Sequence, residues 1–538
     1  MYEFEQYFPY DEPRDAQITS INYTLDSFLK SDKKVVIVEA GTGVGKSAVG
    51  LTVARYLDSN NKREENFEPG AYFLTTQKIL QEQYVSDFGC PGKMKSIKSS
   101  ANYQCTFHKK STCAESLRAL RLEEKGTPFW KSCVFNCSYK NAKEEFIESR
   151  ESVTNFSYFL AETQYSGKLK PRDVLIIDEA HNVPLELSKF VEVTVTQRFA
   201  KQTLKIDIPN LTTQLQAFNW INDVYAPKLK SYYKHVEKML DKYTGLRDKL
   251  SEFASLARQY DLLDKHMCKI NRFLEIYEND NWIFNLVEPD GRKGLRLEFK
   301  PIDVSDYAEE MLFKMGKNII MMSATILNAA ALCELLGLKK EDVGSISIPS
   351  PFPVENRPIM SASIGKMSAA EIDNTLPKLK EAIKAILQQH KNEKGIIHCH
   401  TFKIAKYIKK HIRSKRLLIH TSENREEVLK KHLNSKEPTV LLSPSMTEGV
   451  DLFGENSRFQ VLCKVPYPYL GDKLIRKRMN KWKWWYPLQT AKTIVQAVGR
   501  SVRSSDDYAT TYILDSDWDR FYSRNKKLFP EGFRNSMQ

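Results

Sequence analysis

One stretch near the start of the chain combines the residue types that surround a nucleotide phosphate: Ala40-Gly41-Thr42-Gly43-Val44-Gly45-Lys46-Ser47. Its glycines allow a tight turn with inward-pointing backbone N–H groups, and a helix N-terminus behind such a turn attracts anions. Lys46 is expected to reach the β- and γ-phosphates and Ser47 to ligate Mg²⁺. The stretch therefore predicts a nucleotide triphosphate site, although its first position is Ala40 instead of glycine.

A pair of carboxylates follows a second apolar run. Residues 174–177 read as a buried strand that ends directly in Asp178 and Glu179. The carboxyl ends of strands form the edge at which open α/β sheets bind ligands. Asp178 there suits the shell of Mg²⁺, and Glu179 suits the orientation of an attacking water. Taken alone, an acidic pair after a strand would indicate only a solvated loop.

The surrounding elements predict an α/β fold. Residues 34–39 read as the strand before the glycine-rich turn, residues 47–57 as the helix after it, and residues 319–322 as a further strand. Ser323-Ala324-Thr325 follows that strand and says little by itself. Residues 395–400, 439–443 and 459–463 are strands separated by helical stretches, which predicts a second parallel sheet.

Two arginines late in the chain could serve the same chemistry. Arg500 and Arg503 lie three apart on a predicted helix, so they are expected to project from one face. Placed across a cleft, they would stabilise the charge on a transferring phosphoryl group; surface solvation is the alternative. His398-Cys399-His400, in the strand predicted at residues 395–400, is not predicted to bind metal, because no further ligand stands near it in sequence.

Composition limits the class of protein. The 538 residues carry a net charge of +14, with 41% hydrophobic and 28% charged residues. With a nucleotide site, this positive charge favours a nucleic-acid partner. No stretch reaches the roughly 20 apolar residues of a membrane span, and the acidic start of the chain lacks a secretory signal. We expect a cytoplasmic or similarly reducing compartment, or the nucleus in a eukaryote.

The cysteines are unevenly placed. Five of the nine fall in one window: Cys90, Cys105, Cys113, Cys133 and Cys137. In a reducing compartment, such density favours metal binding over disulfides. The spacing lacks the paired C-x₂-C knuckles of structural zinc. Spacing alone therefore leaves an iron–sulfur cluster, zinc and free thiols open.

In this order, the motifs resemble those of a known family. Residues 40–47, 178–181, 323–325, 447–451 and 496–503 are similar to the motifs of superfamily-two helicases of the XPD/DinG group. The resemblance covers residues 10 to 520, and residues 350–353 and 155–158 are also typical of the group. It implies two RecA-like domains with ATP between them, with Gln17, Asp451 and Gln496 at the nucleotide. Arg14 resembles part of the adenine-reading segment, and Thr75-Thr76-Gln77 the first DNA-contacting motif.

The resemblance also bears on the cysteines. Helicases of this group hold a [4Fe–4S] cluster between the first DNA motif and the Asp-Glu-Ala-His box. By resemblance, its ligands are Cys105, Cys113, Cys133 and Cys137, and Cys90 is left over as a packing thiol. Iron–sulfur clusters require four such thiolates in one pocket.

A long insertion follows the Asp-Glu-Ala-His box. About 140 residues separate it from Ser323, too many for one loop of a compact sheet, and apolar residues recur every three to four positions from Leu229 to Leu274. This predicts a helical insertion, at the place of the family's arch domain; a helical hairpin for protein binding is the alternative. Residues 473–486 interleave cations and aromatics, as single-strand grooves do.

These inferences divide the chain into segments. The predicted division is RecA-like domain 1 at residues 1–88, 151–190 and 296–348, cluster domain at 89–150, arch at 191–295 and RecA-like domain 2 at 349–538. Because the ATPase motifs start close to residue 1, we expect the chain to lack the N-terminal exonuclease that some relatives carry.

The predicted function is that of a monomeric, ATP- and Mg²⁺-dependent helicase. By resemblance, it moves 5′→3′ on single-stranded DNA and unwinds forked or tailed duplex DNA in repair, replication or recombination. An RNA or RNA–DNA hybrid helicase shares the core motifs and is the enzyme alternative. A DNA-binding scaffold without turnover is the other, against which the intact Lys46, Asp178, Glu179, Arg500 and Arg503 argue.

Overall fold

A computed structural model describes residues 2–60, 64–76, 78–89, 93–120, 123–243, 250–288, 294–421, 423–444, 452 and 454–538. Its strands are β1 Val35–Ala40, β2 Glu68–Thr75, β3 Met94–Ser96, β4 Glu151–Asn155, β5 Arg172–Asp178, β6 Val193–Thr196, β7 Trp282–Val287, β8 Arg296–Pro301, β9 Gly316–Ser323, β10 Val343–Ile348, β11 Ile359–Gly365, β12 Gly395–His398, β13 Leu417–Ile419, β14 Val440–Ser443, β15 Phe459–Leu462 and β16 Thr510–Asp515.

Its α-helices are α1 Asp15–Leu29, α2 Lys46–Asn60, α3 Lys78–Phe88, α4 Cys113–Ala119, α5 Pro128–Phe135, α6 Ser138–Glu148, α7 Phe156–Ala161, α8 Val183–Val191, α9 Gln197–Gln202, α10 Gln214–Trp220, α11 Ala226–Tyr243, α12 Leu250–Ile276, α13 Ser305–Met311, α14 Ala329–Leu335, α15 Ile372–Gln389, α16 Phe402–His411, α17 Arg425–Asn434, α18 Lys473–Lys481, α19 Trp485–Val498, α20 Asp517–Asn525 and α21 Glu531–Asn535. Across the described ranges, none has the length and apolarity required to span a bilayer.

The first sheet is parallel, with strand order β10-β1-β9-β5-β2-β4-β3. The strands predicted at residues 34–39, 174–177 and 319–322 are confirmed as β1, β5 and β9, with β9 between the other two. Their side chains are buried almost throughout, as expected for a parallel sheet covered on both faces. The glycine-rich turn, Asp178 and Ser323 therefore lie at one edge of this sheet.

The second sheet is also parallel, with strand order β11-β16-β15-β12-β14-β13. The strands predicted at residues 395–400, 439–443 and 459–463 are confirmed as β12, β14 and β15, three neighbours. Ile397, Leu442 and Val461 point to one face and are fully buried with apolar residues of α15 and α16. The predicted α/β fold with two parallel-sheet domains is confirmed.

A third, antiparallel sheet has strand order β6-β8-β7 and lies within the long insertion. The predicted helical run is present as α11 and α12, which pack together and bury Leu229, Val236 and Ile270. The run ends at Ile276, because Trp282–Val287 pairs with β8 as a strand and buries Trp282. We call α11 and α12 the helical hairpin.

Strand pairing crosses two of the predicted segment boundaries. β3 pairs with β4 in the first sheet, although residue 94 falls in the predicted cluster domain. β8 pairs with β6 and β7, although residue 296 opens the predicted third segment of domain 1. The helical hairpin also contacts the segment from Cys105 to Cys137, which we call the cysteine-rich segment, since α12 packs against α4.

Candidate active site

The glycine-rich turn joins β1 to α2 at the carboxyl edge of the first sheet. Gly43 has φ +88°, and a Cβ atom there would lie 2.1 Å from Cζ of Phe352, so only glycine fits. Ala40 ends the extended strand β1 and needs no such freedom, which explains why alanine is accepted there. Because α2 begins at Lys46, its amino end follows the turn directly, the arrangement that binds phosphate.

Two side chains hold the turn through its carbonyl groups. Lys46 Nζ donates to the carbonyl oxygen of Ala40 at 3.1 Å, and Ser350 Oγ donates to that of Thr42 at 2.8 Å. Ser350 lies in the connection that leads from the first sheet to the second. The shape of the turn is therefore set partly by the segment that links the two domains.

The predicted adenine-reading residues lie against the same turn. Arg14 Nη1 donates to the carbonyl oxygen of Gly43 at 2.7 Å, and the Arg14 N–H donates to Gln17 Oε1 at 2.9 Å. Gln17 is buried, and a Cβ atom on Gly45 would lie 2.5 Å from its Nε2 atom. The first turn of α1 thus packs directly on the candidate phosphate loop.

The two acidic residues sit close to cations from both domains. Asp178 Oδ1 accepts the N–H of Glu179 at 2.9 Å, and its Oδ2 accepts the hydroxyl of Tyr84 at 3.3 Å. Burial raises the pKa of both carboxyls; the charge of Lys46 opposes that shift in each, and Arg500 opposes it in Glu179. Glu179 is therefore within electrostatic reach of a cation from each parallel-sheet domain.

A buried imidazole joins the acidic pair to the second domain. His181 Nδ1 lies 2.7 Å from Ser323 Oγ and 3.3 Å from Glu179 Oε2, and its Nε2 lies 2.8 Å from Gln496 Nε2. Burial holds the pKa of His181 well below its usual range, so the ring is neutral. The amide nitrogen of Gln496 can only donate a hydrogen bond, so Nε2 of His181 accepts it and Nδ1 of His181 carries the ring proton. The ring thereby bridges Glu179 and Gln496 on α19.

The prediction that Arg500 and Arg503 lie on a helix is wrong. α19 ends at Val498 with Gly499 as its C-cap, and the chain then turns, with the Arg503 N–H donating to Asp507 Oδ2 at 3.1 Å. The Gly499 N–H donates to the carbonyl oxygen of Val495 and closes the last turn of the helix. Both arginines nevertheless face the same cavity, from a loop instead of a helix.

A cavity of about 830 Å³ is lined by residues of both parallel-sheet domains. The predicted site residues among its lining are Gly41, Thr42, Glu179, Gln496, Arg500 and Arg503. Lys46, Ser47, Asp178 and Gln17 are not part of that lining. Asp451, the rest of residues 447–451, and Gln77 lie outside the described residues. The structure thus brings the predicted residues of both domains to one cleft.

The four predicted cluster ligands are all buried: Cys105, Cys113, Cys133 and Cys137. Cys113 Sγ lies 3.5 Å from Cys137 Sγ, and the N–H of His108 donates to Cys105 Sγ at 3.3 Å. Burial and the neighbouring thiols raise the pKa of Cys113 to about 12 and that of Cys133 to about 11. Among the described residues, no group of three or more His, Cys, Asp or Glu is arranged to hold a metal ion. Cys90 lies outside them.

Part of the cationic stretch 473–486 makes contacts within the protein. Arg478 Nε donates to the carbonyl oxygen of Ile302 at 2.8 Å, and Lys481 Nζ lies 2.5 Å from Asp303 Oδ2. Burial lowers the pKa of Arg478 to about 10. These residues dock α18 next to the antiparallel sheet. Exposed cations of the same stretch are Lys473, Arg476, Lys477, Lys481 and Lys483.

Two residues at the site were missed by the sequence reasoning. Tyr84 is a buried residue of α3, and a single tyrosine in a helix carries no recognisable signal. Phe352 covers Gly43 and packs with Val502 and Ala509 of the second domain. Its segment was noted as typical of the resembling family, but its role could not be predicted without the fold.

Comparisons with known proteins agree with this arrangement. The helicase C-terminal domain family matches residues 383–536, and the type III restriction enzyme, res subunit, family matches residues 11–207. A probable ATP-dependent helicase of Methanocaldococcus jannaschii is 23% identical over 99% of this chain and 97% of its own. The ATP-dependent DNA helicase YoaA of Escherichia coli is 20% identical over 72% of this chain and 67% of its own.

Solved structures share the fold. An XPD helicase structure has a TM-score of 0.65 at 15% identity and covers 96% of this chain and 98% of its own. The S. tokodaii Xpd4 structure has a TM-score of 0.58 at 15% identity and covers 98% of this chain and 99% of its own. Together with the cleft between two parallel sheets, these matches define an ATP-hydrolysing helicase. Within that class, the chain is similar to superfamily-two helicases of the XPD/DinG group.

Proposed function

We propose that the chain is a DNA helicase that moves 5′→3′ along single-stranded DNA and unwinds forked or tailed duplexes, acting as a monomer in repair, replication or recombination. The observation that carries the proposal is the hydrogen-bonded link that runs from Glu179 through Ser323 and His181 to Gln496. It connects the candidate hydrolysis residue with the other domain. Relatives named as DNA helicases support DNA as the substrate, and the polarity rests on the family resemblance.

The phosphate side of the reaction belongs to the first domain. Lys46 would leave the Ala40 carbonyl to bind the β- and γ-phosphates, with the N–H groups of the turn around them. Ser47 and Asp178 fit Mg²⁺, because they are oxygen donors that both lie near one phenol, that of Tyr84. Bound Mg²⁺ would supply charge neutralisation at the phosphate oxygens.

The attack on the γ-phosphate would be assisted from both sides of the cleft. Glu179 is oriented by Ser323 Oγ, which lies 3.4 Å from its Oε2 atom, and by His181. In its ionised form it would orient the lytic water. Arg500 and Arg503 would stabilise the negative charge that develops on the transferring group. Hydrolysis then requires closure, because the acid and the arginines belong to different domains.

Coupling of ATP hydrolysis to movement along the strand would pass through the contacts among Glu179, His181 and Gln496, which we call the bridge. Loss of the γ-phosphate changes the charge that Glu179 faces, and the neutral His181 ring transmits its position to Gln496. Gln496 Nε2 also lies 3.4 Å from Thr325 Oγ1, so the bridge has two anchors in the first domain. Alternating grip by the two RecA-like domains would move the strand stepwise.

The four cysteines are the ligands we assign to a [4Fe–4S] cluster, the group that the family resemblance implies. Their buried thiols are the donors that such clusters use, and Cys105 and Cys133 pack against Phe129. The His108 N–H on Cys105 Sγ is the kind of hydrogen bond that stabilises a coordinating thiolate. Cys105, Cys113, Cys133 and Cys137 would hold the cluster, which would fix the shape of this segment.

The path of the strand would run past the inserted segments. The helical hairpin and the cysteine-rich segment contact each other through α12 and α4, which supports their assignment as the arch and the cluster domain. The net charge of +14 suits a polyanion. Of the stretch 473–486, the exposed Arg476, Lys477 and Lys483 are the candidates for backbone contacts.

Tailed duplexes test this proposal. One duplex carries a 5′ or a 3′ overhang, of DNA or RNA, at matched enzyme and salt concentrations, with Lys46→Ala as the inactive control. We expect ATP-dependent unwinding from the 5′ DNA overhang. Unwinding only from a 3′ overhang would contradict the polarity, and stimulation of hydrolysis only by RNA would contradict the substrate.

A further inference from the structure

A tyrosine outside the recognised motifs contacts the candidate metal ligands. Tyr84 lies on α3, only 4% of it is exposed, and its hydroxyl donates to Asp178 Oδ2 at 3.3 Å. The side chain of Ser47 lies near the same hydroxyl. Tyr84 thus joins a residue at the start of α2 to one at the end of β5.

The direction of these hydrogen bonds suits metal binding. Asp178 is the acceptor for the Tyr84 hydroxyl, so the phenol proton is used there and the phenol oxygen can only accept from a neighbouring hydroxyl. A Ser47 hydroxyl that donates to the phenol oxygen keeps its lone pairs for a cation. Asp178 Oδ1 is held as well, by the N–H of Glu179 at 2.9 Å. Asp178 is therefore oriented through both carboxylate oxygens before a metal arrives.

The phenol is itself held firmly. Its ring packs against Phe73 and Phe88, with ring centroids 5.7 Å and 5.8 Å away. Phe88 in turn lies against Tyr10, with centroids 6.1 Å apart. The hydroxyl is consequently placed by an aromatic cluster of the first domain, and the hydroxyl can be removed without loss of this packing.

We propose that Tyr84 is a positioning residue that orients Ser47 and Asp178 as ligands of Mg²⁺ and so sets the affinity of the site for the metal–nucleotide complex. This rests on the proposed roles of Ser47 and Asp178. Partners that orient metal ligands typically contribute about 10- to 100-fold to metal affinity or activity. The contribution of Tyr84 is expected in that range.

The test measures binding without turnover. The affinity of Tyr84→Phe for a fluorescent ATP analogue is followed over a Mg²⁺ series and in EDTA, and Mn²⁺ binding to the nucleotide complex is followed by electron paramagnetic resonance. We expect the half-saturating Mg²⁺ and the Mn²⁺ dissociation constant to rise about 10- to 100-fold, with affinity in EDTA unchanged. Tyr72→Phe is the matched control, since it removes a buried hydroxyl that donates to the Lys170 carbonyl oxygen.

The outcomes separate this inference from the proposed function. An unchanged Mg²⁺ series in Tyr84→Phe would overturn the role of Tyr84, as would an equal loss of affinity with Mg²⁺ and in EDTA, which indicates a general structural role. Ser47→Ala should show the same metal defect, and the double variant should lose less than the product of the two. If the wild type itself bound nucleotide without any Mg²⁺ dependence, the proposed metal site would fail instead.

Discussion

The nucleotide cleft and the cysteine-rich pocket are both predicted sites, but their polar atoms are held in different ways. In the cleft, Asp178 is fixed by Tyr84 and by the Glu179 N–H, and Glu179 by Ser323 and His181. In the pocket, the thiols mainly face one another, as in the 3.5 Å approach of the Cys113 and Cys137 sulfurs.

The two sites differ in whether they need a bound metal group to be ordered. The cleft is organised by the protein itself, so loss of one side chain should affect a defined step of the reaction. In the pocket, burial raises the pKa of Cys113 and Cys133, which favours their neutral form unless a cation pairs with them. We expect its structure to depend on a bound metal group, and the following predictions test that contrast.

The largest effect is expected in the cleft, for Arg500→Ala. Removal of a transition-state cation should lower kcat for ATP hydrolysis by about 10³- to 10⁵-fold, with little change in protein stability. Arg524→Ala, an exposed arginine of the same domain, should keep the wild-type rate. A steady-state ATPase assay with single-stranded DNA decides it; a kcat within a few-fold of wild type would remove Arg500 from the reaction.

The contrasting effect is expected in the pocket, for Cys113→Ser. Iron content should fall from about four atoms per chain, and strand separation should fall with it, whereas ATP hydrolysis should survive. Cys268→Ser, a half-buried thiol of α12, is the control and should keep its iron. Iron and sulfide analysis after anaerobic purification checks this. Stoichiometric zinc without iron in the wild type would contradict the cluster.

The sequence predicts these two regions only where a local pattern of residues determines the structure. Continuous apolar runs gave β1, β5 and β9 correctly, because parallel strands are buried on both faces. The prediction that Arg500 and Arg503 lie on a helix was wrong, because α19 ends at Val498, before both of them.

Contacts between distant segments carry no local signal at all. Residues 473–486 look like a single-strand groove in sequence, yet Arg478 and Lys481 contact the insertion nearly 180 residues earlier. Tyr84 meets Asp178 only because α3 packs against β2, the strand that pairs with β5 in the folded domain. Residue types and strand ends can therefore be predicted, whereas the side chains that hold them cannot.

The pH dependence of kcat should reflect the buried acid of the cleft. Glu179 must be ionised to orient water, and burial with the neighbouring Asp178 raises its pKa above the ordinary value of 4.5. Activity should therefore fall with falling pH, by about tenfold per unit below that pKa. Arg500→Gln should move this limb to higher pH, because a cation that lowers the pKa is lost. If the acid side of the kcat profile did not shift in Arg500→Gln, the pKa that it reports would belong to a group other than Glu179.

A smaller effect is expected at the bridge, for Gln496→Ala. Its loss leaves His181 Nε2 without the amide donor, and a buried hydrogen bond of this kind contributes about 0.5–1.5 kcal/mol. We expect the number of ATP molecules hydrolysed per base pair unwound to rise, with a modest loss of kcat. Gln489→Ala on the same helix is the control. An unchanged ratio would show that coupling does not pass through this residue.

The most direct test of the central claim is Glu179→Gln, which keeps the size of the side chain but removes the charge that orients water. Nucleotide affinity should stay within a few-fold of wild type, single-turnover hydrolysis should fall by about 10²- to 10⁴-fold, and the 5′-tailed duplex should remain unseparated. Glu309→Gln, an exposed acid of the first domain, should behave as wild type. Hydrolysis or unwinding by Glu179→Gln at the wild-type rate would contradict the account.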